Sequence, residues 1–168
     1  EVFDHDNEKI ADLFHQNRQL VKLDDVPKNV RNAFIAVEDK RFYRHLGVDW
    51  IGVFRALVKD LSTGRLVQGG STITQQLVKE TFLNADKTFT RKWKEASLAT
   101  ILEMRYSKAE ILEMYLNRIY FGHRVYGIES ASQLFFGKDV GELTLGEAAV
   151  LAAIPKAPAN YSPYIDLQ

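Results

Sequence analysis

No cysteine occurs in the 168 residues, which excludes disulfides and thiolate metal sites and fits cytoplasm and cell exterior equally. An excess of charge of one sign is missing as well. The 22 Lys and Arg balance 22 Asp and Glu, so no global field recruits nucleic acid, and electrostatic recognition has to come from local clusters. Long hydrophobic runs are absent. The longest extends only from Ala148 to Ile154, far short of the ~20 residues of a spanning helix, and no signal peptide stands at the start. Glu1 in place of Met leads to the expectation of an excised domain, preceded in the whole protein by a membrane anchor. Several catalytic signatures are also lacking: there is no G-x-S-x-G, P-loop or H-E-x-x-H, and His5, His15, His45 and His123 have no metal-ligand spacing.

What is present suits one domain with a real core, since 46% of residues are hydrophobic. Residues 1–26 read as an N-terminal arm with a strand or two and a turn near Asn7, and residues 27–168 as the domain proper. A helix starts after Asp24-Asp25-Val26-Pro27 and ends near Asp39. Asp49 caps a second, whose Trp50, Phe54, Leu57, Val58 and Leu61 share one face up to Gly64. Residues 64–70 hold three glycines and predict a mobile loop. Ser71 or Thr72 caps a third helix. Thr90 to Tyr106 is apolar on more than one face beyond Ala96, which predicts a central position. Ser107 and Glu110 form a capping box for a helix running until Gly122. Ile128–Phe136 closes at Gly137, and Thr144, boxed with Glu147, opens a last helix to Ala153. The tail, with Pro155, Pro158 and Pro163, is irregular. The expected class is all-α, with seven or so helices.

Three segments carry more polar groups than packing explains. The stretch from Glu38 to Gly47 follows the apolar series Val30, Ala33, Phe34, Val37 with two adjacent carboxylates, aromatics, cations and His45. A carboxylate placed where a buried helix face runs out is well situated for proton transfer, although a solvated helix end has the same composition. Gly69-Gly70-Ser71-Thr72 at a helix start predicts exposed amide donors and hence an anion site. Gln76 and Lys79 share a face there, and capping does not account for two consecutive Gln residues. In the third segment, Lys87, Arg91 and Lys94 lie at helical spacing beside Glu95. Basic residues in a first helical turn oppose the macrodipole, at about 0.3–1 kcal/mol each where exposed, which suggests an anionic ligand. A base, a hydroxyl-and-amide surface and a cationic pocket together suit glycosyl transfer from a sugar diphosphate, with the cations stabilising the departing diphosphate.

These residues also resemble a known family. Glu38-Asp39-x-x-Phe42-x-x-His45-x-Gly47, Gly70-Ser71-Thr72-Ile73-Thr74-Gln75-Gln76 and Arg91-Lys92-x-x-Glu95 are similar to the first three motifs of the family 51 peptidoglycan glycosyltransferases. Lys108-x-x-Ile111-Leu112-x-x-Tyr115-x-Asn117 and Phe136-Gly137-Lys138 match two more, in the family's order. Phe135 stands where the family usually has Tyr. Lys87 stands where Arg is also common, turning a bidentate phosphate grip into a point charge.

The resemblance implies an all-α fold similar to lysozyme, with a large lobe and a smaller, mobile, membrane-facing lobe holding the loop from Leu61 to Gly70. It implies polymerisation of lipid II into β-1,4-linked glycan strands, with inversion and loss of undecaprenyl diphosphate. Glu38 would be the general base. Lys79, Lys87, Arg91 and Lys94 would neutralise the leaving diphosphate, with Glu95 organising them or holding a divalent cation such as Mg or Mn, no cofactor being obligatory. Asp39, Phe42, Arg55, Ser71 and Gln76 would line the sugar and phosphate sites. The implied partners are lipid II, the growing lipid-linked strand and the membrane surface, with no nucleic acid. The implied place is the outer face of the bacterial cytoplasmic membrane, the bifunctional members carrying a transpeptidase domain in the same polypeptide. Two other readings fit parts of the pattern: a lysozyme-like lytic enzyme using Glu38 as acid, which has no use for a diphosphate pocket, and a non-catalytic lipid-phosphate-binding domain.

Overall fold

The computed structural model describes residues 2–3, 9–11, 19–63, 70–83, 89–156 and 158. Lys87, residues 64–69 of the glycine-rich loop and the tail after residue 158 lie outside the described residues. The chain is mainly α, with seven α-helices among those residues: α1 Lys28–Glu38, α2 Trp50–Thr63, α3 Ile73–Phe82, α4 Phe89–Arg105, α5 Lys108–Leu116, α6 Ile128–Phe136 and α7 Leu145–Ala153. In the arm, β1 (Val2–Phe3) and β2 (Lys9–Ala11) form an antiparallel pair.

Local chemistry sets most of the boundaries. Thr72, Ser107 and Thr144 each accept the backbone N–H of the residue three positions on, while Gln75, Glu110 and Glu147 reach back to the cap, so three helices begin with reciprocal capping boxes. Asp49 accepts the amide of Gly52 at 3.0 Å, as a cap for α2 should. α6 ends on Gly137, whose φ of 66° is left-handed, the conformation glycine adopts at least cost. Pro27 stands just before α1, as its N-cap, and Asp24 and Asp25 sit in a short 3-10 turn ahead of it.

The core is built where α1 packs on α7, α3 on α5, and α6 on α7. Val30 and Phe34 of α1, Ile73 and Leu77 of α3, Ile111, Leu112 and Tyr115 of α5 and Leu151 of α7 are buried together. Residues 19–26 are stitched to this core. Val21 exchanges two 2.8 Å hydrogen bonds with the Asn117 side chain, and the Leu23 amide donates to Glu113 at 2.6 Å.

Two elements differ from the sequence expectation. α4 is not central. It packs on α3 and turns Ala99 and Glu95 inward, while Trp93, Ile101 and Met104 (81% exposed) face out; an apolar residue predicts burial only where a partner element covers it. α5 stops at Leu116 rather than near Gly122. Ile119 and Phe121 keep the apolar rhythm and are buried, but as part of a turn closed by Gly127 N–H to Ile119 O at 2.9 Å and Phe121 N–H to Val125 O at 3.0 Å.

Candidate active site

The end of α1 and the start of α3 meet along a cleft of about 290 Å³. Glu38, Asp39, Arg55 and Ser71 all line it, so four of the expected site residues, drawn from three separate segments, come together. Asp39 is the joint. His45 donates through Nε2 to both carboxylate oxygens, at 3.1 and 2.9 Å, and because a carboxylate only accepts, Nε2 carries the hydrogen. The backbone N–H of Ile73 donates to Asp39 Oδ2 at 3.1 Å. Gly47 closes the same turn. Its carbonyl accepts the Thr72 hydroxyl at 2.5 Å, and its φ is +86°, with the position of a Cβ only 2.7 Å from the Ala99 carbonyl carbon.

This corrects one expectation. The amide donors of Thr72, Ile73 and Gln75 at the start of α3 are not open to an external anion. Ile73 N–H is held by Asp39, and Thr72 and Gln75 exchange their amides with each other's side chains. The anion at that helix N-terminus is the chain's own carboxylate, placed where the macrodipole favours it. The two consecutive glutamines divide the work. Gln75 completes the cap, whereas Gln76 Nε2 donates to Glu38 Oε2 at 2.9 Å. Glu38 Oε1 is buried and has no hydrogen-bond partner among the described residues.

Phe42 does not line the cleft. It is fully buried, with Tyr43 and His45 at its edge and the Lys108 ammonium 4.4 Å from its ring centre, so it supports the Glu38 turn from beneath. Lys108 is itself paired with Glu103 at 2.7 Å, and Glu103 also accepts the Thr74 hydroxyl at 2.6 Å. This ties the fourth motif to the first two through a cation–π contact and an ion pair.

The cationic segment is organised around Glu95, which is 2% exposed on α4. Arg91 donates to Oε2 at 3.2 Å and Lys92 to Oε1 at 2.5 Å. Lys92 also donates to Ser71 Oγ at 2.8 Å, linking the cationic pair to a residue on the cleft wall. Lys92 stands in the third motif, but the sequence assigned it no role of its own beside Arg91 and Lys94; Lys94 is exposed. The signal was available, because Lys92 precedes Glu95 by three residues, a spacing that brings side chains together on a helix, whereas Lys94 is adjacent to it. Lys79 is exposed on α3, one turn beyond Gln76. A divalent cation does not fit Glu95 as it stands. Both its oxygens hold protein cations, and no group of three or more His, Cys, Asp or Glu side chains that could hold a metal occurs among the described residues.

The surface beside the cleft is unusual. Trp50, Phe54, Val58 and Leu61 recur at helical spacing along one face of α2 and are exposed, Trp50 by 66% and Leu61 by 78%. Within the described residues no helix is long and apolar enough to cross a membrane.

Fold and site together define an enzyme-like cleft lined by a carboxylate and by Ser71, with cations anchored on a buried glutamate behind Ser71. A family model described as transglycosylase matches residues 6–168. The chain is 56% identical to penicillin-binding protein 1F of Bacillus subtilis over 164 residues, 98% of this chain and 23% of that protein. It is 49% identical to penicillin-binding protein 1A of Aquifex aeolicus, again over 98% of the chain and 23% of the relative. Against penicillin-binding protein 1A of Neisseria cinerea it is 50% identical over 165 residues, 21% of that protein. The chain belongs to the transglycosylase family, whose fold is mainly α and lysozyme-like. It spans less than a quarter of the length of these curated relatives.

Proposed function

We propose that this chain is a peptidoglycan glycosyltransferase that polymerises lipid II into β-1,4-linked glycan. Glu38 is the general base. It takes the proton of the acceptor N-acetylglucosamine 4-hydroxyl as that oxygen forms its bond to the donor's anomeric carbon. The bond from that carbon to the α-linked undecaprenyl diphosphate breaks on the opposite face, and its electron pair leaves with the diphosphate, so configuration inverts. Arg91 and Lys92, anchored by Glu95, meet the charge that develops on the leaving group, with Lys79 and Lys94 as further cations and Lys87 added from the family motif alone. Preorganised cations of this kind are effective because they need no rearrangement as charge develops. Asp39, with its oxygens committed to His45 and Ile73, acts by holding the turn. Arg55 and Ser71 face the substrate.

The observation that carries this reading is that Glu38 and Ser71 both line the cleft, Glu38 held by Gln76 and Ser71 bonded to Lys92, which in turn pairs with Glu95. That frame supports a base and a pair of cations acting on one substrate. The exposed apolar stripe of α2 supports work at a membrane surface, where a large contiguous apolar face finds its burial. We place that surface at the outer face of the cytoplasmic membrane, and a transpeptidase domain in the remainder of the polypeptide. Incubation with lipid II in detergent should yield glycan polymer, and incubation with purified cell wall should release no muropeptides. The reverse pattern would establish a lytic enzyme instead, and binding of lipid II without either product would establish a non-catalytic domain.

A further inference from the structure

Helix α4, which carries Arg91 and Lys92, is fastened along one side. Its inward face recurs every fourth residue as Glu95, Ala99 and Glu103, all with buried side chains, while Trp93, Ile101 and Met104 are exposed. Each inward residue meets a different part of the cleft frame. Lys92, paired with Glu95, donates to Ser71. Ala99 backs onto Gly47 at the end of the Glu38 turn. Glu103 accepts from the Thr74 hydroxyl at 2.6 Å and from the Lys108 ammonium at 2.7 Å.

These contacts fix different things. Glycine against helix backbone sets how closely α4 approaches, but it offers no side chain to interlock and so resists axial sliding weakly. Directional hydrogen bonds resist it better. The bond from Lys92 to Ser71 lies at the cleft, where a substrate's oxygens compete for the same ammonium. The bond from Thr74 to Glu103 lies two turns beyond Glu95, about 12 Å along the axis. Thr74 is fully buried and the Glu103 side chain is 3% exposed, so no substrate group competes there. Stability explains such a pair poorly, because the attraction in a buried ion pair is offset by desolvation; fixing a register is its best-attested use.

We propose that Glu103, through its bond from Thr74, is a positioning residue that sets the axial register of α4 and so the place of Arg91 and Lys92 against the leaving diphosphate. Thr74 stands on α3, two residues before Gln76, so the same bond aligns the cation helix with the helix that grips Glu38. Lys108 holds Glu103 from α5 and lies over the Phe42 ring beneath the Glu38 turn. The proposal rests on Arg91 and Lys92 meeting the diphosphate.

The test compares Thr74→Val, which matches the shape of Thr but lacks its hydroxyl, with Thr74→Ser, which keeps the hydroxyl. Lipid II in detergent is the substrate, inorganic pyrophosphate is the competing ligand, and a melting curve accompanies each variant. Thr74→Val should need about 10-fold more pyrophosphate for equal inhibition and should lose about 10- to 100-fold in kcat, the scale of a misplacement of about 1 Å. The acidic limb of its pH–rate profile, which reports Glu38, should stay in place, and Thr74→Ser should restore both values. Thr74→Ala also lacks the hydroxyl, without the added methyl against Glu103, and carries the same expectations where Val disturbs the fold. Unchanged pyrophosphate inhibition in a folded variant without the hydroxyl would overturn the positioning role, whatever happens to kcat. A loss in Thr74→Ser as large as in Thr74→Val would overturn it in favour of packing. Pyrophosphate inhibition that survives Lys92→Met undiminished would remove the diphosphate site itself, and the proposal with it.

Discussion

Replacing Asp39 by Ala is expected to loosen the turn that carries Glu38, and the size of the effect can be worked from its bonds. The side chain is 6% exposed and accepts from His45 Nε2 at 2.9 and 3.1 Å and from the Ile73 amide at 3.1 Å. Truncation leaves a buried imidazole N–H and a buried amide unpaired, each costing about 1–3 kcal/mol. A small cavity adds to this, so a total of about 3–5 kcal/mol is expected, the usual range for removing one partner of a buried pair. Asp39→Asn should be milder. Its carbonyl still accepts from Ile73, but its NH2 opposes His45 Nε2–H. Moving that hydrogen to Nδ1 only transfers the problem, because Nδ1 is buried with no partner among the described residues. The Asn variant should therefore cost about 1–2 kcal/mol. Urea denaturation gives both values directly. Thermal melting should fall by about 6–20 °C for Ala, at roughly 2–4 °C per kcal/mol in a domain of this size. An Ala variant within 1 kcal/mol of the parent, or Asn as damaging as Ala, would refute the assignment of Asp39 as the joint.

Two further predictions concern the frame around the site. Gly47→Ala should cost about 2–5 kcal/mol in urea denaturation, combining a positive φ with overpacking, since the new Cβ would lie 2.7–2.8 Å from backbone atoms of Ala99 and Thr100; a change below about 1 kcal/mol would contradict the close approach. Glu147 is held down from 4.5 to about 2, chiefly by its bond to Lys138 and then by the Thr144 amide and hydroxyl. Because its folded pKa is depressed, its stabilising contribution is complete above pH 4.5 and is lost as pH falls towards 2. Denaturation across that window should show the parent losing its advantage over Glu147→Gln as pH drops, and an advantage that stays constant would contradict the linkage.

The parts of this fold that were legible in the sequence are those decided within a few residues. Ser107 with Glu110, Thr144 with Glu147 and Gly137 each mark a helix end through bonds that span three or four positions. Two of the family motifs, around Glu38 and around Ser71, likewise fall on segments that line one cleft. What escaped was decided by partners far along the chain. Nothing local announces that Asp39 fills the α3 N-terminus 34 residues away, or that Gln76 reaches Glu38 across 38. The exposure of Ile101 and Met104 on α4 escaped for the same reason, because the 3.6-residue rhythm reports a helix's apolar faces but not whether another element covers them. Phe42 was read as a wall of the site because it lies in the motif. The structure gives it a supporting role under the turn, with Lys108 over its ring. Lys92 is the exception, a residue whose spacing to Glu95 could have been read locally.

The central claim is that Glu38, gripped by Gln76 at the cleft wall, removes the proton from the attacking sugar hydroxyl. Its most direct test is the rate of lipid II polymerisation by Glu38→Gln, alongside its melting curve. The substitution keeps shape and removes only the proton-accepting charge, so loss of a general base should lower the rate by at least about 100-fold while the melting temperature holds. Polymerisation at the parent rate by a folded Glu38→Gln chain would contradict the account.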